Sequence, residues 1–343
     1  MIDALQENDD MIHRPRRLRR TETIRNLVRE TRLTPDRLIL PQFIVDGENR
    51  CETIEAMPGR CRLSIDRTID ECNEALSLGV KAFALFPDVD ATLKSRDGGE
   101  ALNPDNLICR AIRLIKETRP EACLIADIAL DPYSSVGHDG IVSEDGVVQN
   151  DESVEVLAKM AVVHARAGAD IVAPSDMMDG RVGAIRDELD DAGFTETAIL
   201  SYSAKYASGF YGPFREALHS APVDAPDVPK DKKTYQMDPA NAREATIEAM
   251  LDEAEGADIL MVKPALPYLD IIHRMREQTA LPIAAYQVSG EYAMIKAASS
   301  KGWLDERECM TEALLAIARA GADVILTYAA LDYARWWHEA PLG

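Results

Sequence analysis

Eight short runs of β-branched and aliphatic residues recur along the chain, each followed by a longer stretch with apolar residues three and four apart. Residues 38–45 (LILPQFIV), 82–86, 124–130, 170–175, 198–204, 258–263, 282–288 and 323–328 read as strands. The segments ESVEVLAKMAVVHARAG and NAREATIEAMLDEAEGAD between them carry the helical period. Three helices run into the next strand through one tripeptide, Gly168-Ala169-Asp170, Gly256-Ala257-Asp258 and Gly321-Ala322-Asp323. Glycine reaches the left-handed conformation that closes a helix, so each GAD predicts a helix stop ahead of a buried strand. Strand and helix alternating eight times predicts an α/β fold, the (β/α)8 TIM barrel of ~250 residues. An open doubly wound sheet would call for G-x-G-x-x-G after the first strand, and the chain has none there. Residues 1–34 are predicted to form an extended N-terminal arm, and 35–343 the barrel.

The net charge of −21 over 343 residues argues against nucleic acid as a partner, because a phosphate backbone demands local positive charge. No apolar run approaches the ~20 residues that span a bilayer, so no membrane partner is expected. The six cysteines include no C-x-x-C pair, which removes the zinc-ribbon and redox-motif readings and fits a reducing, cytoplasmic compartment. The segment HRPRRLRR, His13 to Arg20, lacks the apolar core of a signal peptide, and Asp3, Glu7, Asp9 and Asp10 do not suit a transit peptide. It is read as a subunit-contacting arm in preference to a nucleic-acid arm.

In such a barrel the catalytic groups stand at the C-terminal ends of the strands. The third strand leads into DIALDPYSSVGHDG (Asp127–Gly140), and the fifth ends in SYSAKYASGFYGPFREA with Lys205. The sixth ends at Lys263, the seventh leads to Ser289 and the eighth to Tyr328. One such lysine alone has an ordinary explanation, its stem packing on the core while the ammonium reaches water. Two on adjacent strands crowd like charges in a desolvated mouth, which lowers lysine pKa values and leaves free amine. Free amine attacks a carbonyl to form a Schiff base, so the pair points to ketone substrates. Arg215 offers a planar fork suited to a carboxylate. The aperiodic segment 219–239 exceeds the ~12–15 residues usual for a structureless loop and reads as a lid over residues 219–236. Its Lys230, Lys232 and Lys233 are either lid cations facing an anionic substrate or ordinary solvated charges.

Four segments in order, DPYSSVGHDG, SYSAKYASGFYGPFREA, DILMVKPALPYLDII and AYQVSGEYAMI, resemble the 5-aminolevulinate dehydratase (porphobilinogen synthase) family, with similarity from about RPRRLRR to the C-terminus. The resemblance implies a hydro-lyase that condenses two 5-aminolevulinate molecules to porphobilinogen with loss of two waters, early in tetrapyrrole synthesis, without an organic cofactor. Carried onto this chain, Lys263 would hold the molecule that becomes the propionate side and Lys205 the acetate side. Ser289 and Tyr328 would bind the first carboxylate; Arg215 and Lys232, or Lys233 if the loop shifts by one, would bind the second. Gln236 would face the lid, and Ser135 would join the substrate-binding set. His138 is read as a structural hydrogen-bonder.

Zinc-dependent members of the family carry three cysteines where this chain has Ala129, Asp131 and Asp139. Thiolates select zinc and oxygen ligands suit magnesium, so the resemblance is to the zinc-independent, aspartate-rich branch. Asp131 and Asp139 would bind Mg²⁺ or K⁺, or hydrogen-bond the substrate amine without metal; the last reading is preferred. Glu248 matches the family's ligand for an allosteric Mg²⁺, and the family implies a homo-oligomer, commonly an octamer. Two alternatives remain from the residues alone. A class I aldolase would need one such lysine and phosphate-binding loops after strands seven and eight, whereas a catalytically silent barrel would have lost a strand-end group.

Overall fold

The computed structural model describes residues 13–339. Its barrel strands are β1 (Leu38–Val45), β2 (Ala82–Asp88), β3 (Cys123–Ile128), β4 (Ile171–Pro174), β5 (Ala198–Lys205), β6 (Ile259–Lys263), β7 (Ile283–Gln287) and β8 (Val324–Thr327). Each pairs in parallel with its neighbours, and β8 closes on β1 through Leu38 opposite Ile325 and Ile39 opposite Leu326. The sheet is therefore the expected closed (β/α)8 barrel. All eight residues of β1 are buried, as a strand covered on both faces requires.

The GAD glycines adopt the predicted conformation, with φ of 111° at Gly168, 102° at Gly256 and 129° at Gly321. The aspartates after them have a further role. Asp170 Oδ2 accepts the Leu124 N–H, Asp258 Oδ2 that of Ile199 and Asp323 Oδ2 that of Ile283. In return the three aspartate N–H groups donate to the carbonyls of the same residues. Each GAD thus ends a helix and clasps the start of an even strand to the odd strand before it, at the end of the barrel opposite the mouth.

Two hairpins lie outside the predicted elements. One joins Cys51–Thr53 to Cys61–Leu63 after β1; the other pairs Ile141–Val142 with Val148–Gln149. Of the arm, residues 1–12 lie outside the described part. The turn Pro15–Arg19 and the helix Glu22–Leu27 bury no residue, and Leu27 is 82% exposed. The arm meets the barrel at Leu33, which is fully buried and whose carbonyl accepts the Tyr333 hydroxyl.

Candidate active site

Lys205 and Lys263 are direct partners in register. That alignment depends on a bulge: Leu260 faces Ser201 but Val262 faces Ala204, so β5 carries one extra residue over this interval. Side chains alternate faces along a strand, and without the extra residue Lys205 would point to the opposite side of the sheet from Lys263. The bulge brings both amines into one mouth, where each is only 6% exposed.

The two amines stand in different surroundings. Lys263 Nζ sits in an aromatic box, 4.6 Å from the Tyr286 ring centre, 4.9 Å from Tyr202, 5.1 Å from Phe214 and 5.3 Å from Tyr211. Burial, and then the charge of Lys205, lower its pKa to about 7 against the pull of Asp127, Asp139 and Asp131. Lys205 instead donates to Asp139 Oδ2 at 2.9 Å and to the Ser175 carbonyl. Lys263 is thus poised as free amine near neutral pH.

Asp139 is the electrostatic centre. Its other oxygen accepts Lys232 Nζ at 2.6 Å, and the same ammonium lies 3.4 Å from Asp131. Burial works to raise the Asp139 pKa, but Lys205 and Lys232 outweigh it and hold the carboxylate ionised below its usual range. Lys232 is buried in the mouth, whereas Lys233 is exposed and pairs with Asp231 at 3.7 Å. His138 ties the third-strand loop to the lid, through Tyr235 Oη at 3.0 Å and the Pro229 carbonyl at 2.8 Å. Gly137, at φ 75°, lies where a Cβ would strike the Ala221 carbonyl, so loop and lid approach as closely as glycine permits.

Arg215, half-buried, lines the same mouth with Asp131, Asp139, Gln236 and both the Lys205 and Lys232 side chains, and it makes no side-chain hydrogen bond or ion pair among the described residues. Gln236 Oε1 is buried without a partner among the described residues. Ser289 accepts the Phe214 N–H at 3.0 Å, and Tyr328 shares a 2.8 Å hydrogen bond with Tyr286, a wall of the aromatic box. Ser135 is the residue the structure does not bring to the mouth. Its N–H is held by the Ser95 carbonyl, and it lines an outer groove with Asp88, Lys94 and His219. With Lys232 seated, the mouth encloses about 30 Å³. That is room for a water rather than for two substrates.

Two groups escaped the sequence reading. Asp127, half-buried in the mouth with its buried Oδ1 unpartnered among the described residues, is pushed up to about 7 by burial and then by Asp131, with Lys205 and Lys263 opposing. The signal was an acid in an otherwise apolar strand. Glu291, fully buried, accepts the N–H groups of Ala265, Leu266 and Val288, tying the chain after Lys263 to the residue before Ser289. Burial pushes it up to about 7 against those three donors.

A closed parallel barrel with titratable side chains gathered at the C-terminal ends of its strands defines a (β/α)8-barrel enzyme. The chain matches the family described as delta-aminolevulinic acid dehydratase over residues 12–336, and it belongs to that family. It is 58% identical to the chloroplastic delta-aminolevulinic acid dehydratase of Physcomitrium patens, over 94% of this chain and 74% of that one. It is 53% identical to the delta-aminolevulinic acid dehydratase of Bradyrhizobium diazoefficiens, over 93% of this chain and 89% of that one. The Toxoplasma gondii delta-aminolevulinic acid dehydratase, solved in complex with its reaction product porphobilinogen, superposes with a TM-score of 0.93 at 54% identity, covering 95% of this chain and 92% of that one.

Proposed function

We infer that this chain is the lyase that condenses two 5-aminolevulinate molecules to porphobilinogen, releasing two waters. Lys263 and Lys205 side by side in one mouth are the observation that carries the mechanism. Lys263, as free amine, attacks the ketone of one substrate and forms an imine with loss of water. Lys205 does the same to the second substrate once Asp139 has released it. Two imines on adjacent strands turn an encounter into an intramolecular step, an advantage of up to ~7–11 kcal/mol of barrier. Ser289 and Tyr328 receive the first carboxylate, Arg215 and Lys232 the second, and Gln236 closes the lid side. Asp131 and Asp139 receive substrate ammonium. Trapping with borohydride in the presence of 5-aminolevulinate is expected to leave adducts on Lys263 and Lys205 in peptide maps, alongside pyrrole formation. A folded enzyme that makes pyrrole with neither lysine modified would overturn these roles.

The pH dependence follows from Lys263. Because the amine must be free, kcat/KM is expected to rise about tenfold per pH unit below the Lys263 value of about 7 and to level off above it. A profile flat across neutrality would refute Lys263 as the first nucleophile.

The branch reading is zinc-independent. Ala129, Asp131 and Asp139 offer no thiolate, and the two aspartates already neutralise Lys232, so the residues present do not fit Zn²⁺, Mg²⁺ or K⁺ in the mouth. Glu248 is different. With Glu244, Asn150 and Asp179 it lines a groove of about 490 Å³ that also holds Lys233, Met177 and Met178, so a hydrated Mg²⁺ there would take few protein oxygens and keep most of its waters. Burial raises the Glu248 pKa against the pull of Arg181, and a cation would offset that burial. Mg²⁺ there would stabilise the assembled form by mass action. EDTA is expected to lower activity and Mg²⁺ to restore it, with the response lost in Glu248→Gln; activity indifferent to chelation would remove the site.

Residues 1–34 are assigned to subunit contacts in an octamer, supported by the exposed Leu18, Leu27 and Val28, and 35–343 to catalysis under the lid 219–236. No described helix is long and apolar enough to cross a membrane. The assigned location is the cytoplasm.

A further inference from the structure

We propose that Cys51 and Cys61 form a reversible redox site, a dithiol that closes to a disulfide and staples the hairpin on which the base of the lid rests. The two residues lie on one face of the antiparallel hairpin as diagonal neighbours, Cys51 opposite Leu63 and Cys61 opposite Thr53. Their sulfurs are 2.8 Å apart, inside van der Waals contact, so a bond of ~2.05 Å needs little more than side-chain rotation. Cys51 is exposed and Cys61 half-buried. Burial, and then the hydrogen bond to Cys51, push the Cys61 thiol up to about 11.

This difference orders the chemistry. The Cys51 thiolate attacks an external low-molecular-weight disulfide, such as oxidised glutathione, and expels one thiol. The Cys61 thiolate, its proton lost to solvent, then attacks Cys51 Sγ and expels the second thiol. Two protein thiols are oxidised and one external disulfide is reduced to two thiols. No other pair of cysteines among the described residues makes such a contact.

The hairpin is more than a surface loop. Arg62, next to Cys61, donates Nη1 to the Ala217 carbonyl at 3.1 Å and lies 3.4 Å from Asp88. Asp88 in turn holds His219 Nδ1 at 3.0 Å. These contacts grip the last turn of the helix Gly212–Leu218, which carries Arg215, and the first residue of the lid. Stapling the hairpin holds Arg62 in that grip and slows opening at the lid base. The proposal is independent of the reaction assigned to the mouth.

The test is to equilibrate the whole protein with oxidised glutathione, block free thiols, and digest with trypsin, which cuts at Arg50, Arg60 and Arg62. The expected product is the peptide of Cys51 linked to that of Cys61, separated by dithiothreitol, with the other four cysteines still blocked. Glutathione retained on Cys51 with Cys61 free would overturn the site. Amide exchange at residues 217–221 is expected to be severalfold slower in the oxidised form. Arg62→Ala should erase that difference while the disulfide still forms. A disulfide that leaves exchange at 217–221 unchanged in the parent would overturn the link to the lid.

Discussion

Replacing Lys263 with methionine is expected to abolish porphobilinogen formation and to leave the barrel at least as stable as the parent. Methionine keeps the volume among Tyr286, Tyr202, Phe214 and Tyr211, whereas alanine would leave a cavity costing roughly 2–5 kcal/mol. The direction of the stability change comes from linkage. The lysine has a pKa of about 7 in the folded chain against 10.5 as its ordinary value, so the unfolded chain binds its proton more tightly. The parent therefore carries a penalty that is full below about pH 7 and fades as pH rises toward 10.5. The faces of the four rings offset part of it. Lys263→Met removes the penalty, so its gain in thermal stability is greatest in mild acid and smallest in alkali. Turnover by the folded variant would end the case for this amine as nucleophile.

The second large effect is expected at Asp139→Asn. Asparagine keeps the shape and loses the charge that faces Lys205 and Lys232 at 2.9 and 2.6 Å. Breaking a buried ion pair by removing one partner costs about 3–5 kcal/mol, since the other charge stays buried. Here two ammonium groups lose their shared carboxylate, leaving Lys232 only its longer contact to Asp131 and Lys205 only the neutral Ser175 carbonyl. Misplacing a reacting group by ~1 Å costs about a hundredfold in rate, so kcat should fall at least that far. The parent's stabilisation is present above the ordinary carboxylate pKa and is lost as pH falls through the lower folded value. The variant lacks it throughout. Its unfolding midpoint in denaturant should therefore lie far below the parent's at neutral pH and approach it in strong acid. A constant gap between the two would show that charge is not what Asp139 contributes.

The barrel was legible because its strands are buried on both faces and its helices are amphipathic, so burial wrote both periods into the letters. LILPQFIV spans β1 to the residue, and the three GAD glycines stop their helices as read. The hairpin at Cys51–Thr53 and Cys61–Leu63 was not legible, since strands of three residues with one buried side chain carry no period. The GAD aspartates carried no role of their own in the helix-stop reading. Their carboxylates serve backbone N–H groups of a neighbouring strand, a partner that spacing along one helix cannot reveal. At the mouth, both lysines could be named from strand ends, but their shared face rests on a bulge in β5 that alternation alone would have argued against. Ser135 lies outside the mouth although its neighbours Asp131 and Asp139 lie within it, because the loop turns back at Leu130 and Asp139 and leaves Ser135 on the outer side.

The seated Lys232 changes how entry to the mouth must be understood. The lid is shut by the protein's own ammonium resting on Asp131 and Asp139, and a 5-aminolevulinate molecule brings one ammonium and one carboxylate of its own. The incoming ammonium can take over the aspartates, and the displaced Lys232 is then free for the incoming carboxylate. Unlatching and capture become a single trade of partners in which no charge is left bare. On the proposed roles, a keto acid lacking the amine has nothing to offer in that trade, and the latch is expected to discriminate for amino-ketone substrates before any imine has formed.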